Sequence, residues 1–179
     1  KVVEQLHKMY PEAPIYTSYC TPEWRKKLGG RVMTGYLQHW PFPALRKFIP
    51  VLRALWFSGI NLRSYDLVIS SSGAEAKFIR VKSSTTHIAY VHAPTHYYWS
   101  RFDEYLKNPG FESFDRLARV GLKLFVGPMR LWDRTAAQHP DFLIANSNHI
   151  RAQIKKYYGR DSVVIHPPVE IERFGKASM

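Results

Sequence analysis

The 179-residue chain is poor in cysteine, in acidic residues and in long apolar runs. Its single cysteine, Cys20, rules out an internal disulfide and fits a reducing compartment; its role is that of an ordinary buried or surface thiol. No apolar run approaches the roughly 20 residues that span a bilayer, and no signal peptide is expected. No repeat or low-complexity tract interrupts the sequence, and 45% hydrophobic residues argue against disorder. Only 14 Asp and Glu stand against 26 Lys and Arg, a formal net charge of +12. Such a chain is drawn to polyanions: nucleic acid, anionic lipid or phosphorylated small molecules. No nucleic-acid motif is present, which sets nucleic acid aside. The length suits one well-buried domain.

Short runs rich in Ile and Val predict strands at Ile15–Tyr19, Asp66–Ser70, His87–Val91, Asp141–Ala145 and Val163–His166. Runs apolar on both faces suit a parallel sheet covered on both sides. Helical spacing predicts helices at Val2–Tyr10, Pro22–Lys27, Pro43–Phe57, Ser113–Gln138 and Asn148–Tyr158, with Gly127-Pro128 expected to kink or split the fourth. The alternation predicts an α/β, Rossmann-like doubly wound parallel sheet. A helix opens the order where such a fold has its first strand, so that strand and its ligand-binding turn are expected to be missing. After Val163–His166 come Pro167 and Pro168, read as a hinge that a longer chain would continue.

The strongest candidate site is Tyr90-Val91-His92-Ala93-Pro94-Thr95-His96-Tyr97-Tyr98-Trp99. His92 falls at the carboxyl end of a predicted strand, where open α/β sheets bind ligands, and the aromatic residues after it suit a sugar-sized pocket. From position alone, a core histidine beside a packed aromatic loop is an equal reading. His92 and His96 have helical metal-ligand spacing, but Pro94 between them spoils it; no metal is expected. Ser71, Ser72 and Gly73 follow another strand and suit a hydroxylated or phosphorylated ligand; Ser72 and Glu75 also have capping-box spacing, the favoured reading there. Arg116, Arg119, Lys123, Arg130 and Arg134 share one helical stripe, either a solvated face or a dock for anionic headgroups. Trp40, Phe42, Leu45, Phe48, Ile49, Leu52, Leu55 and Trp56, interleaved with Arg46, Lys47 and Arg53, suit either a membrane interface or packing on the sheet; most are expected to pack, with a Trp40–Phe42 tip exposed. Glu4 with Glu12 and Glu104 with Glu112 have the spacing of a donor-site glutamate pair, but neither joins a glycine loop to a helix; both are read as chance.

In order along the chain, Val2-Val3-Glu4 to Ala13-Pro14-Ile15-Tyr16-Thr17, Tyr65-Asp66-Leu67-Val68-Ile69-Ser70-Ser71-Ser72, Tyr90–Trp99, Arg130-Leu131-Trp132-Asp133, Ile144-Ala145-Asn146-Ser147 and Tyr157 to Phe174 resemble the N-terminal domain of a retaining GT-B glycosyltransferase of family 4. Within it the chain is most similar to mannosyltransferase-type enzymes of bacterial polysaccharide assembly. The resemblance implies an acceptor-side domain over 1–166 and, at 167–179, a hinge toward a nucleotide-sugar-binding domain that is absent. It implies transfer of a sugar such as mannose from a nucleotide diphosphate sugar to a glycan or lipid-linked acceptor, without a cofactor. The expected location is the cytoplasm, with the basic stripe open to a peripheral place on the inner face of the membrane. His92 takes the role of the family histidine that faces the cleft and hydrogen-bonds the transferred sugar. Ser71, Ser72, Gly73, Thr95, His96, Tyr97 and Trp99 are the sugar- or acceptor-binding candidates. Where the family has Cys-His-Thr-Pro, Ala93 lacks the hydroxyl; where it has Arg-Tyr-x-Trp-Asp, His96 and Ser100 replace a cation and a carboxylate. The fragment is expected to be inactive alone. The alternatives are a non-catalytic basic membrane-docking module, or another GT-B enzyme such as a nucleotide-sugar epimerase.

Overall fold

The computed structural model describes residues 1–29, 31–45, 49–110 and 114–169. Arg46, Lys47, Phe48, Glu112, Ser113 and the Glu172-Arg173-Phe174 segment lie outside them.

Among the described residues six strands and six α-helices follow in the order α1 Val2–Met9, β1 Ile15–Tyr16, α2 Pro22–Lys27, β2 Val32–Met33, α3 Pro50–Ser58, β3 Leu67–Ser72, β4 Thr86–Val91, α4 Phe102–Lys107, α5 Asp115–Ala136, β5 Phe142–Ala145, α6 Asn148–Tyr158 and β6 Val163–Val164. Short 3₁₀ turns occupy Tyr36–Gln38 and Glu75–Phe78. All strand pairs are parallel, as the both-faces-apolar runs predict. The strands form two separate sheets, β1-β2 and β3-β4-β5-β6.

The main core lies between the four-stranded sheet and α6. Ala89, Val91, Leu143 and Ala145 of the strands meet Ile150, Ile154 and Tyr158. Small alanines let the helix approach, and the fully buried Ile154 contributes about 1.5–3 kcal/mol by leaving water. Local signals set the bounds of α6. Ser147 Oγ accepts from Ile150 N at 3.2 Å, and Gly159 ends the helix at φ +71°, a conformation other residues resist. Thr21 caps α2 the same way, accepting from Trp24 N at 3.3 Å ahead of Pro22. Ala54 of α3, Phe78 and Ala136 of α5 form a second cluster, with Trp132 against Phe78 at 4.3 Å between centroids. Cys20 is buried with Leu28 and Val32 beside β1 and β2, the bland role expected of it.

Several expectations shift. The predicted Pro43–Phe57 helix begins at Pro50, where proline fits the first turn. Ahead of it Trp40 stands 87% exposed, forming the expected tip. Gly35 lets the Trp56 indole close over the backbone; a Cβ there would lie 1.9 Å from Nε1. The capping box does not form: Ala74 precedes the Glu75–Phe78 turn, and Ser72 Oγ is buried without a partner. Gly127-Pro128 does not divide α5, which continues through it. Both Pro128 and Leu124 are exposed, so water can take the carbonyl that proline cannot reach. No helix among the described residues is long and apolar enough to cross a membrane.

Candidate functional site

Parallel pairing brings the carboxyl ends of three strands to one rim. β3 runs in register with β4, so Ser72 lies beside Val91, and His92 N donates to Ser72 O at 2.9 Å. Beyond β5, Asn146 Nδ2 donates to His92 O at 2.9 Å. The rim therefore carries Ser71, His92 and Asn146 side by side. The His92 residue is exposed, and its Nε2 lies 2.8 Å from Ser71 Oγ. Tyr90 stands edge-on to the imidazole at 5.2 Å between centroids. Burial of part of the ring, then the Lys1 ammonium, lower the His92 pKa, so the ring is neutral near pH 7. In the tautomer whose Nε2 accepts the Ser71 hydroxyl, Nδ1 carries a hydrogen free to meet a ligand oxygen.

The other candidates divide. Gly73 is exposed, with open space where a side chain would stand. His96 is half-buried, with Nε2 3.2 Å from Tyr105 Oη; burial and then Arg101 lower its pKa. Tyr97 donates to Glu75 Oε1 at 3.2 Å, and burial raises its pKa far beyond the usual phenol range. Glu75 is also paired with Arg53 at 2.6 Å, tying α3 to the loop after β4.

Thr95, buried, and Trp99, half-buried, gather around Asp133. Thr95 is 1% exposed and donates to Asp133 Oδ1 at 2.6 Å. Trp99 Nε1 donates to Asp133 Oδ2 at 2.8 Å, and its ring stacks on Tyr157 at 5.0 Å. Tyr158 Oη also donates to Oδ2, at 2.9 Å, and accepts from Thr95 N at 3.2 Å. The buried ammonium of Lys77 completes the network, 2.8 Å from Asp133 and 2.9 Å from Thr95 Oγ1, with a further bond to Ala74 O. The sequence reading quoted Asp133 only within a motif and missed Lys77; a lone lysine in a Gly-Ala-Glu-Ala-Lys-Phe run carries no sign of burial. The network fixes both the turn after β3 and the loop after β4, and so the frame that holds Ser71 and His92.

On α5, Arg116, Arg119, Lys123 and Arg134 are exposed. Arg130 is not part of that outer face: its Nε donates to Tyr98 O at 2.6 Å, and its guanidinium lies over Trp99 and Phe102. Of the Glu pairs, Glu4 is bound to Lys27 and Glu104 to Arg101, while Glu112 lies outside the described residues.

A parallel, Rossmann-like sheet with a polar rim and an exposed neutral histidine defines an α/β ligand-binding domain of the kind enzymes use for sugars and nucleotides. The sequence model of Glycosyltransferase Family 4 matches residues 1–173, and the chain belongs to that family. Comparison with curated proteins and with solved structures gives no match. Membership makes sugar transfer between a donor and an acceptor the general activity, with an N-terminal, Rossmann-like domain as its setting.

Proposed function

We propose that residues 1–166 form the acceptor-side domain of a retaining GT-B glycosyltransferase. Residues 167–179 lead toward a second domain that binds the nucleotide sugar. The complete enzyme moves a hexosyl group, with mannose the leading candidate, from a nucleoside diphosphate sugar to a glycan or lipid-linked acceptor of bacterial surface polysaccharide assembly. The observation that carries the reading is the exposed His92 ring, held at 2.8 Å by Ser71 on the carboxyl rim. A neutral imidazole there can donate to a hydroxyl of the bound sugar and hold it as positive charge grows at the anomeric carbon. Gly73 leaves room for a ligand to approach the backbone. Charge on the leaving diphosphate is met by cations and helix N-termini of the second domain, with no resident metal or cofactor.

The test uses the product of the complete coding sequence, a panel of nucleoside diphosphate hexoses, and donor hydrolysis alongside transfer. His92→Ala is expected to lower kcat by about 100-fold with a smaller change in KM, and Ser71→Ala to lower it by about 10-fold. Transfer should survive chelation of divalent metal. On the acid side, activity should fall only below the ordinary imidazole value of 6.5, because the His92 pKa is lowered. Full activity of His92→Ala overturns the role given to His92, and an epimerised nucleotide sugar as the product would replace transfer with epimerisation.

A second reading, membrane docking, is favoured by the outer face of α5. Leu117, Leu124 and Leu131 are about two-thirds exposed, beside Arg116, Arg119, Lys123 and Arg134. An apolar stripe flanked by cations fits the surface of an anionic bilayer, and would place the enzyme on the cytoplasmic leaflet.

A further inference from the structure

An apolar gap of about 720 Å³ separates β1 from β3, lined by Ile15, Leu67 and Ile69 among others. The open polar groups lie elsewhere, on the rim. Two carboxylates hold the loop after β4, and they are satisfied differently. Asp133 has both oxygens filled, Oδ1 by Thr95 and Lys77 and Oδ2 by Trp99 and Tyr158. At 1% exposure it is a structural carboxylate. Glu75, three residues past Ser72 on the turn after β3, is only half filled. Its Oε1 takes both donors, Arg53 Nη2 at 2.6 Å and Tyr97 Oη at 3.2 Å. Among the described residues nothing donates to Oε2, and that oxygen is not sealed from solvent.

Arg53 is also engaged on one side only. A guanidinium and a carboxylate commonly close as a fork, through two parallel bonds. This pair makes one, from Nη2 to Oε1. Arg53 Nε is buried without a partner, while Nη1 has none among the described residues and is not buried. The pair is therefore anchored and open at once. Helix α3 supplies Arg53, the turn after β3 supplies Glu75, and the loop after β4 supplies Tyr97. Facing outward are one acceptor, Oε2, and one donor, Nη1.

The chemistry of that opening selects its ligand. An anion meets the charge of Glu75 and a cation that of Arg53, so neither suits a pair of zero net charge. An apolar group would cover both open atoms without bonding them, which is costly. A vicinal diol satisfies both: one hydroxyl donates to Oε2 and its neighbour accepts from Nη1. The location agrees. Ser71 and Glu75 share the segment after β3, and His92 and Tyr97 share the segment after β4. Gly73, between Ser71 and Glu75, has no atom within 4 Å of where a Cβ would stand.

We propose that Glu75 and Arg53 form a clamp for a vicinal diol of the acceptor sugar, beside the transferred sugar held by His92. The clamp rests on the sugar-transfer reading above, and adds to it the two residues that select the acceptor.

The experiment uses the product of the complete coding sequence. The probes are methyl α-mannopyranoside, α-glucopyranoside and α-galactopyranoside, with the monodeoxy analogues of the one that binds best. Ligand-observed NMR reads binding, and transfer assays read acceptor KM, donor KM and kcat. For the wild type, removing either of two adjacent hydroxyls should weaken binding by about 10-fold, and removing any other should change it little. Glu75→Gln and Arg53→Met should each raise acceptor KM by about 10-fold for the parent glycoside, with smaller changes in kcat and donor KM. Neither substitution should add much to the loss already caused by removing one of the two hydroxyls. If a variant does not fold, the deoxy series on the wild type decides alone. Binding indifferent to which hydroxyl is removed overturns the clamp, as does no saturable binding of any glycoside. Equal losses in acceptor and donor KM overturn it too, leaving Glu75 a structural role. These failures leave sugar transfer standing; a wild type that neither hydrolyses nor transfers any donor sugar ends the sugar-transfer reading itself, and the clamp with it.

Discussion

Asp133 is the residue on which most of the buried polar structure converges. It accepts from Thr95, Trp99 and Tyr158 and pairs with Lys77, all away from water. Asp133→Ala leaves the Lys77 ammonium buried with neutral partners only, and should destabilise the fold by about 3–5 kcal/mol. Lys77→Met should destabilise it less, because Asp133 keeps three donors. Urea unfolding of the two variants checks that order. His87 supplies a second prediction. It is fully buried, with Nδ1 unpartnered and Nε2 2.9 Å from Ser70 Oγ. Burial holds its pKa down to about 4; Asp141 opposes this and His139 adds to it. Above pH 6.5 the ring is neutral in both states, so the fold carries no penalty. Between 6.5 and 4 the unfolded chain takes a proton that the folded chain refuses, and stability falls as pH falls. The loss reaches roughly 3 kcal/mol and levels off below 4. His87→Gln should flatten urea stability across that pH window. At this scale the sequence reading placed His92 at a strand's carboxyl end from local pattern alone, and the structure has it there, exposed just after β4. The burial of Lys77 and Thr95 was not legible, because it depends on Asp133 of α5 and Tyr158 of α6, far along the chain, and that of His87 depends on the pairing that brings Ser70 and Asp141 to it.

At the scale of elements, α5 invites the most direct test. One side of it carries Trp132, Asp133 and Ala136 into the protein, while Leu117, Leu124, Phe125 and Leu131 remain largely exposed. Under the docking reading proposed above, this exposed apolar row is the contact surface and the neighbouring cations select an anionic one. Replacing Arg116, Arg119, Lys123 and Arg134 with glutamine should weaken sedimentation on phosphatidylserine vesicles by about 1000-fold at low salt, at about 1 kcal/mol per charge. Arg130→Gln should change it little, since its guanidinium is engaged by Tyr98, Trp99 and Phe102. Equal sedimentation on neutral and anionic vesicles would contradict the docking. The same helix shows what periodicity can and cannot deliver. Its existence was readable from spacing, and so was its basic stripe apart from Arg130; of the strands, only β4 is largely buried on both faces, while β3 and β5 alternate between buried and more open positions. The two-residue β2 and the six-residue α4 fell below the length at which a period can be recognised. The capping box misled because Ser72 completes β3, and the turn that follows begins at Ala74.

For the whole molecule, the gap between the sheets and the net charge of +12 act against each other. The α/β alternation and the parallel strands were legible from the sequence. The division into two sheets was not, because it needs the observed pairing. Two-stranded sheets are marginal alone, so the part built on β1 and β2 should open far more easily than β3–β6. Opening widens access to the β3 edge, a template for pairing between chains. Charge repulsion opposes that encounter only while it is unscreened. The Debye length falls from about 10 Å at 0.1 M salt to about 3 Å at 1 M. The isolated chain should therefore stay largely monomeric at low salt and aggregate as salt rises, the reverse of simple salting-in. Light scattering across salt and protein concentration checks this. Ile69→Lys, which places a cation in the cavity beside the open edge, should move the onset of aggregation to higher salt. A monomer with a cooperative, concentration-independent melt at 1 M salt would contradict this.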